Sequence, residues 1–147
     1  MKLSELFKTE EEEDEIPTIG LVSDASYSKK QGYLEYRVMD LQTGEIVYRN
    51  CFHNLTSEYV ANIGELFGLI RAIKHSIDNE TIIPIYCDSL NAIGWVQKGK
   101  CWGNVESDLQ PYVDAANVYL SKIEELPPIF WWDKYKWGEN PADFGRK

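Results

Sequence analysis

Ile19-Gly20-Leu21-Val22-Ser23-Asp24-Ala25-Ser26 is the stretch on which the fold turns. It begins apolar on both faces, as a strand inside a sheet must, and then sets one acid among small residues. A carboxylate at the end of a buried strand is costly unless it is paired or bound to a cation. The pattern returns at Ile82-Ile83-Pro84-Ile85-Tyr86-Cys87-Asp88-Ser89, a second apolar run ending in an acid. Two more acids stand in other settings. Glu65 lies within a run of helical periodicity, and Asp143 within the C-terminal Glu139-Asn140-Pro141-Ala142-Asp143. If one fold gathers the four, hard oxygen ligands converge and a divalent cation is the natural counter-charge. Such a set points to metal-assisted phosphodiester chemistry.

Outward from the first strand, expected over 18–27, the chain reads as a meander. Lys29-Lys30-Gln31-Gly32 is a turn, and 33–40 alternates as a half-buried strand does. Gln42-Thr43-Gly44-Glu45 reverses the chain, and 45–53 is the returning strand. A helix follows, capped by Thr56 or Ser57 with Glu58 in its first turn. Val60, Ile63, Phe67, Ile70, Ile73 and Ile77 recur at helical spacing and form its core stripe. Glu65 stands off that stripe among Ala61, Gly68, Leu69 and Ala72, and the small residues admit close approach by other backbone. Asn62, three positions earlier, faces the same side. Residues 81–87 read as a central parallel strand, followed by a short helix at about Leu90–Lys98 and a longer one over 105–125. Pro127-Pro128 stops that helix, and 129–132 is the last strand. The order βββαβααβ predicts one α/β domain, a mixed sheet with helices on its faces.

The 147 residues carry a net charge of −9. Residues 1–16 hold seven acids and two bases, a net of −5, which leaves −4 for the rest. Residues 1–16 therefore read as an acidic, solvated tail and 17–147 as the domain. Mimicry of nucleic acid is the sharper alternative for the tail. No apolar run is long enough to span a bilayer, and Met1-Lys2-Leu3-Ser4-Glu5 lacks the apolar core of a signal peptide. Cys51, Cys87 and Cys101 show no metal-ligand spacing, and His53 and His75 stand alone, which argues against zinc. Unpaired cysteines suit a reducing compartment, so a cytoplasmic protein without membrane partners is expected.

At this point the residues resemble the ribonuclease H family over most of 18–147. The family's first strand carries an Asp followed by small residues, here Ser23-Asp24-Ala25-Ser26. Its first helix carries Asn-x-x-Glu, here Asn62-Ile63-Gly64-Glu65. Its fourth strand ends in a Thr-Asp-Ser-like element, here Cys87-Asp88-Ser89. Its last acid follows an Asn, here Asn140-Pro141-Ala142-Asp143. Four such motifs in the right order are specific together. Three departures stand beside them. Only Phe144-Gly145-Arg146-Lys147 follow Asp143, the segment Trp132–Gly138 holds no His, and 98–104 offers only Lys98 and Lys100 in place of a basic handle.

The resemblance implies a ribonuclease H-like fold, with a five-stranded mixed sheet of order 3-2-1-4-5 flanked by helices. It implies an endonuclease that hydrolyses the RNA strand of RNA–DNA hybrids with two Mg²⁺ or Mn²⁺ ions. Asp24 would bridge both ions, Asp143 would hold the ion that activates water, and Glu65 and Asp88 the one facing the 3′-oxygen. Substrate contacts are expected from Asn62, Ser89, Asn91, Asn140 and Lys134, with Ser89 equally suited to cap the short helix. Trp95, Trp102, Trp131, Trp132 and Trp137 offer stacking surfaces or, more cheaply, core packing. Two alternatives stay open. One is a nuclease of the same fold acting on other structured nucleic acid, and the other a binding module with a vestigial site.

Overall fold

A computed structural model describes residues 16–56, 60–101 and 108–143. Five strands, β1 (Leu21–Ser28), β2 (Tyr33–Asp40), β3 (Ile46–Phe52), β4 (Ile85–Cys87) and β5 (Ile129–Trp131), form one sheet in the order β3-β2-β1-β4-β5. β1 to β3 are an antiparallel meander. β4 runs parallel to β1, and β5 parallel to β4. The order and directions match those expected. The helices are α1 (Val60–Asp78), α2 (Leu90–Lys98), α3 (Gln110–Lys122) and the four-residue α4 (Lys134–Trp137).

Successive strand residues point to opposite faces, and β1 uses both. Leu21 joins the main core, where Leu34 and Val38 of β2 meet Ile63, Leu66, Leu69 and Ile73 of α1, with α2 and α3 beside them. Val22 points the other way, into a smaller cluster with Trp132 and Ala142, against which Tyr86 and Trp137 pack. Burial on both faces explains why β1 reads as a continuous apolar run.

α1 lies unusually close to β1. A methyl group on Gly64 would come within 2.5 Å of Leu34 Cδ1 and 3.2 Å of Ala25 Cβ, and one on Gly68 within 3.3 Å of Ser23 Cβ. α2 starts at Ser89, whose Oγ accepts from the Ala92 N–H, and ends at Gly99 in the left-handed region, with φ of 79°.

The structure corrects several expected boundaries. The fourth strand is only Ile85–Cys87, because Pro84 has no N–H for a ladder and Ile82 is 88% exposed. The long helix starts at Gln110 and stops at Lys122, while 102–107 lie outside the described residues. The segment before Asn140 is not all loop: Asp133 caps α4 by accepting from the Tyr135 and Lys136 N–H groups. Ser57, Glu58, Trp102 and the acidic tail up to Glu15 also fall outside the described residues. Ile77, expected on the core stripe of α1, is exposed at its end.

Candidate functional site

Asp24 occupies the middle of β1 and is only 4% exposed. Glu65 projects from α1 toward the same place and is 8% exposed. It is buried although it stands off the core stripe of α1. The glycine-mediated approach of α1 to β1 covers the flank of the helix, and the Ala25 N–H donates to Glu65 Oε1 at 2.9 Å. Asp88 follows β4 and begins the turn into α2. Its carboxylate, that of Glu65 and the Cys87 thiol each offer an atom within 4.8 Å of the others. Asp143 arrives from the C-terminal segment, and its charge acts on Asp24. The fold thus sets Glu65 and Asp88 side by side, with Asp24 hydrogen-bonded to Glu65 and Asp143 near enough for its charge to act on Asp24.

The electrostatics follow from that crowding. Burial, then the charge of Asp88, push the Asp24 carboxyl up to about 7, with Asp143 adding to the rise. Burial, then Asp88 and Asp24, drive Glu65 well above the usual carboxylate range. Asp24 and Glu65 share a hydrogen bond that favours the proton on Glu65, so the two titrate as a unit. Burial and Glu65 likewise push the Cys87 thiol up, so it faces Glu65 Oε2, 3.8 Å away, as a protonated group. Glu35 makes the contrast plain. It is as buried as Asp24, but Arg49 pairs with it at 2.8 Å and the Tyr33 hydroxyl donates to it at 2.7 Å. Glu35 is a satisfied structural acid, whereas the acids at Asp24 crowd one another.

A groove of about 500 Å³ opens over the cluster, lined by Asn62, Glu65, Asp88, Ser89, Asn91 and Lys134, with Trp131 and Tyr135 also on its wall. Asn62, Asn91 and Lys134 are exposed. Asn140, expected as a substrate contact, is held by the chain itself and lines a small cleft with Asp88 and Lys134. It is 3% exposed, and its amide donates to the Ser23 carbonyl at 3.0 Å and to Asp88 Oδ2 at 3.5 Å. Its Oδ1 accepts from the Ala142 N–H at 2.8 Å. Asn140 is a clamp between strand ends and the C-terminal segment. Of the tryptophans, Trp132 is fully buried and stacks edge-on with Trp137, Trp95 packs on the main core, and Trp131 donates to the Asp88 carbonyl. A smaller cleft of about 200 Å³ between α1 and α3, walled by Tyr36, Phe67 and Tyr119, holds none of the candidate residues.

Sequence reasoning missed three participants. Cys87 sat inside a quoted motif as a mere spacer. Tyr135, 83% exposed on the groove wall, looked like part of a loop. Arg37 carried no motif at all; its guanidinium donates to the carbonyls of Ala142 and Asp143.

The five-stranded mixed sheet of order 3-2-1-4-5, flanked by helices, with one acid within its first strand and another just after its fourth, has the strand order and directions of a ribonuclease H-like fold. No protein-family model matches the chain. Among solved structures it is similar to ribonuclease H1 from the halophilic archaeon Halobacterium salinarum NRC-1, at 17% identity over 80% of this chain and 86% of that one, with a TM-score of 0.46. It is also similar to the N-terminal ribonuclease H domain of a Mycobacterium tuberculosis protein solved as a fusion with maltose-binding protein. There the identity is 15% over 77% of this chain and 85% of that one, and the TM-score again 0.46. Likeness at this level transfers no residue role. Among the described residues, no helix is long and apolar enough to cross a membrane.

Proposed function

We propose that this chain is a divalent-metal-dependent endonuclease that hydrolyses the RNA strand of RNA–DNA hybrids. The reading is supported by the crowding around Asp24, where burial and the charges of Asp88 and Asp143 push its carboxyl up to about 7. Gathering like charges in a poorly solvated place costs stability, and a bound cation offsets that cost. The donor set fits Mg²⁺ or Mn²⁺, because carboxylate oxygens are hard ligands and the one nearby sulfur, on Cys87, keeps its proton. The four acids would hold two ions, with Asp24 central to the set. When bound, such ions polarise the scissile phosphate and supply an activated water and a stabilised leaving oxygen.

The chain's own residues do the rest. The Ala25 N–H orients the Glu65 carboxyl, and the Asn140 amide orients that of Asp88. Asn62, exposed one helical turn before Glu65, would hydrogen-bond a ribose 2′-hydroxyl and so favour RNA over DNA. Asn91 and Lys134 would hold backbone phosphates without reading sequence. Ser89 accepts from the Ala92 N–H and still has a hydroxyl proton to donate to phosphate.

The test is cleavage of a hybrid, a double-stranded RNA and a double-stranded DNA with Mg²⁺ or Mn²⁺. Wild-type protein should prefer the hybrid, and Asp88→Asn should abolish cleavage while melting as the wild type does. Activity within tenfold of wild type in Asp88→Asn would sink the metal centre. Equal cleavage of all three substrates would sink the choice of substrate, as would an Asn62→Ala variant that lost no preference for the hybrid.

A further inference from the structure

Arg37 lies on β2 directly opposite Asp24 of β1. Opposed residues of an antiparallel pair share a face, with Cβ atoms about 5 Å apart. The Arg37 side chain runs on from there to the C-terminal segment. Its Nε donates to the Ala142 carbonyl and a terminal nitrogen to the Asp143 carbonyl. Two donors of one rigid guanidinium on successive carbonyls fix both the position and the direction of that backbone.

The other fastenings lie on the far side of the segment. Asn140 ties it to the Ser23 carbonyl and Asp88, and the Asp143 N–H donates to the Asn140 carbonyl at 2.9 Å. Ala142 is fully buried between these ties, in the cluster with Val22 and Trp132. The stretch Asn140–Asp143 therefore lies across β1, gripped from the β4 side by Asn140 and from the β2 side by Arg37. No regular element holds it. Asp143 is the residue at the end of this grip, and its charge reaches Asp24.

We infer that Arg37 is a positioning residue for the acidic centre: by holding the Ala142 and Asp143 carbonyls it sets where the Asp143 carboxylate stands relative to Asp24. The inference rests on the reading of the four acids as a metal-dependent nuclease centre. Arg37 touches neither substrate nor ion in this role, and its effect passes through Asp143. A lysine in its place donates from a single nitrogen and loses the rigid two-nitrogen fork that fixes the direction of both carbonyls.

The experiment compares Arg37→Gln and Arg37→Lys, each alone and on an Asp143→Asn background. Three quantities are read: amide hydrogen exchange along 140–143, Mn²⁺ affinity by calorimetry, and hybrid cleavage. Exchange at Ala142 and Asp143 should speed up in both Arg37 variants while the β1 and β2 amides keep their protection. Mn²⁺ affinity and turnover should fall roughly 10- to 100-fold, the usual effect of removing a group that orients a ligand. On the Asp143→Asn background the same changes should cost less than about twofold, because residues acting through one another are not additive. Unchanged exchange at Ala142 and Asp143 would overturn the inference, and so would an equal loss in both backgrounds. If Arg37→Gln fails to fold, Arg37→Lys carries the same comparison. Wild-type protein that neither binds Mn²⁺ nor cleaves would fell the nuclease reading separately, while the exchange data would still decide whether Arg37 grips the segment.

Discussion

Asp24 and Asp143 lie near enough for their charges to interact but are held in place by opposite means. Asp24 sits in a strand with β2 on one side and β4 on the other, under a helix drawn close by two glycines. Its position belongs to a cooperative frame, and no single contact sets it. Asp143 sits in irregular chain fixed by a few side chains reaching in from elsewhere, chiefly Asn140 and Arg37. One half of the site is frame and the other half is fastening. The frame half should answer only to loss of its own acids or to changes in the packing of α1 on β1. The fastening half should fail contact by contact, and without unfolding.

The harshest way to break the frame half is to remove its central charge. Asp24→Asn should lower hybrid cleavage by roughly 10³-fold, about 4 kcal/mol of transition-state stabilisation. The same substitution should raise the melting temperature of the metal-free protein by about 5 °C at pH 8, because it takes one charge out of a buried, repelling set. A variant that lost activity and also melted lower would show that Asp24 serves the fold.

The fastening half should give a smaller loss with a different signature. Asn140→Ala removes the ties to Ser23 and Asp88 and strips the Ala142 N–H of its acceptor. Leaving buried groups unpaired costs about 1–3 kcal/mol, so the melting temperature should fall, and turnover with it, by roughly 10- to 100-fold. Kinetics and melts on the same samples separate the cases: activity and stability move in opposite directions for Asp24→Asn and together for Asn140→Ala.

The two halves also differ in how far the sequence reveals them. The frame is legible because its signals are local. The apolar run before Asp24, the helical recurrence from Val60 to Ile73 and the acid after Cys87 each reflect burial that a short window records. The strand order came with the family resemblance that those elements carry. The errors come where tertiary contact overrides local pattern. Helical spacing alone sets Glu65 off the core stripe, and it is Gly64 and Gly68, letting β1 cover that flank, that bury it. Residues 81–84 looked like strand, yet Pro84 has no N–H to donate, its carbonyl alone accepting from the Leu21 N–H, and Ile82 points to solvent. The fastening is nearly illegible. Arg37 and the carbonyls it holds are separated by 105 and 106 residues, and no spacing encodes such a bond. Asn140 was noticed as a substrate contact, but nothing local shows that its side chain also ties the segment to Ser23 and Asp88.

A gentler test of the frame is its tolerance for volume. Gly64→Ala would set a methyl group 2.5 Å from the fully buried Leu34. Relieving that overlap should cost about 1–3 kcal/mol, visible as a lower melting temperature. Because α1 would be pushed from β1, the Ala25–Glu65 hydrogen bond should lengthen, and amide exchange at Ala25 would report it. An unchanged melting temperature would mean that the helix has slack and that the frame is looser than its glycines imply.

The smallest expected effect is a pH dependence, and it separates the halves most cleanly. In the metal-free fold Asp24 titrates near 7, against an unperturbed value of 3.8. The folded state therefore keeps a proton that the unfolded chain has released anywhere between those values. The stability this contributes is full below about 3.8 and is lost as pH rises through about 7. Glu65, also raised, acts in the same direction. Metal-free protein should thus melt a few °C lower at pH 8 than at pH 5, to the order of magnitude that a shift of this size supports. Saturating Mg²⁺ should restore most of the difference, because the cation binds the ionised acids and only in the folded state. Asp24→Asn cannot ionise at that position and should flatten the pH dependence, whereas Asn140→Ala leaves the titrating pair in place and should keep it. A slope unchanged in Asp24→Asn would mean that the repulsion lies elsewhere, and the division into frame and fastening would then have its centre in the wrong place.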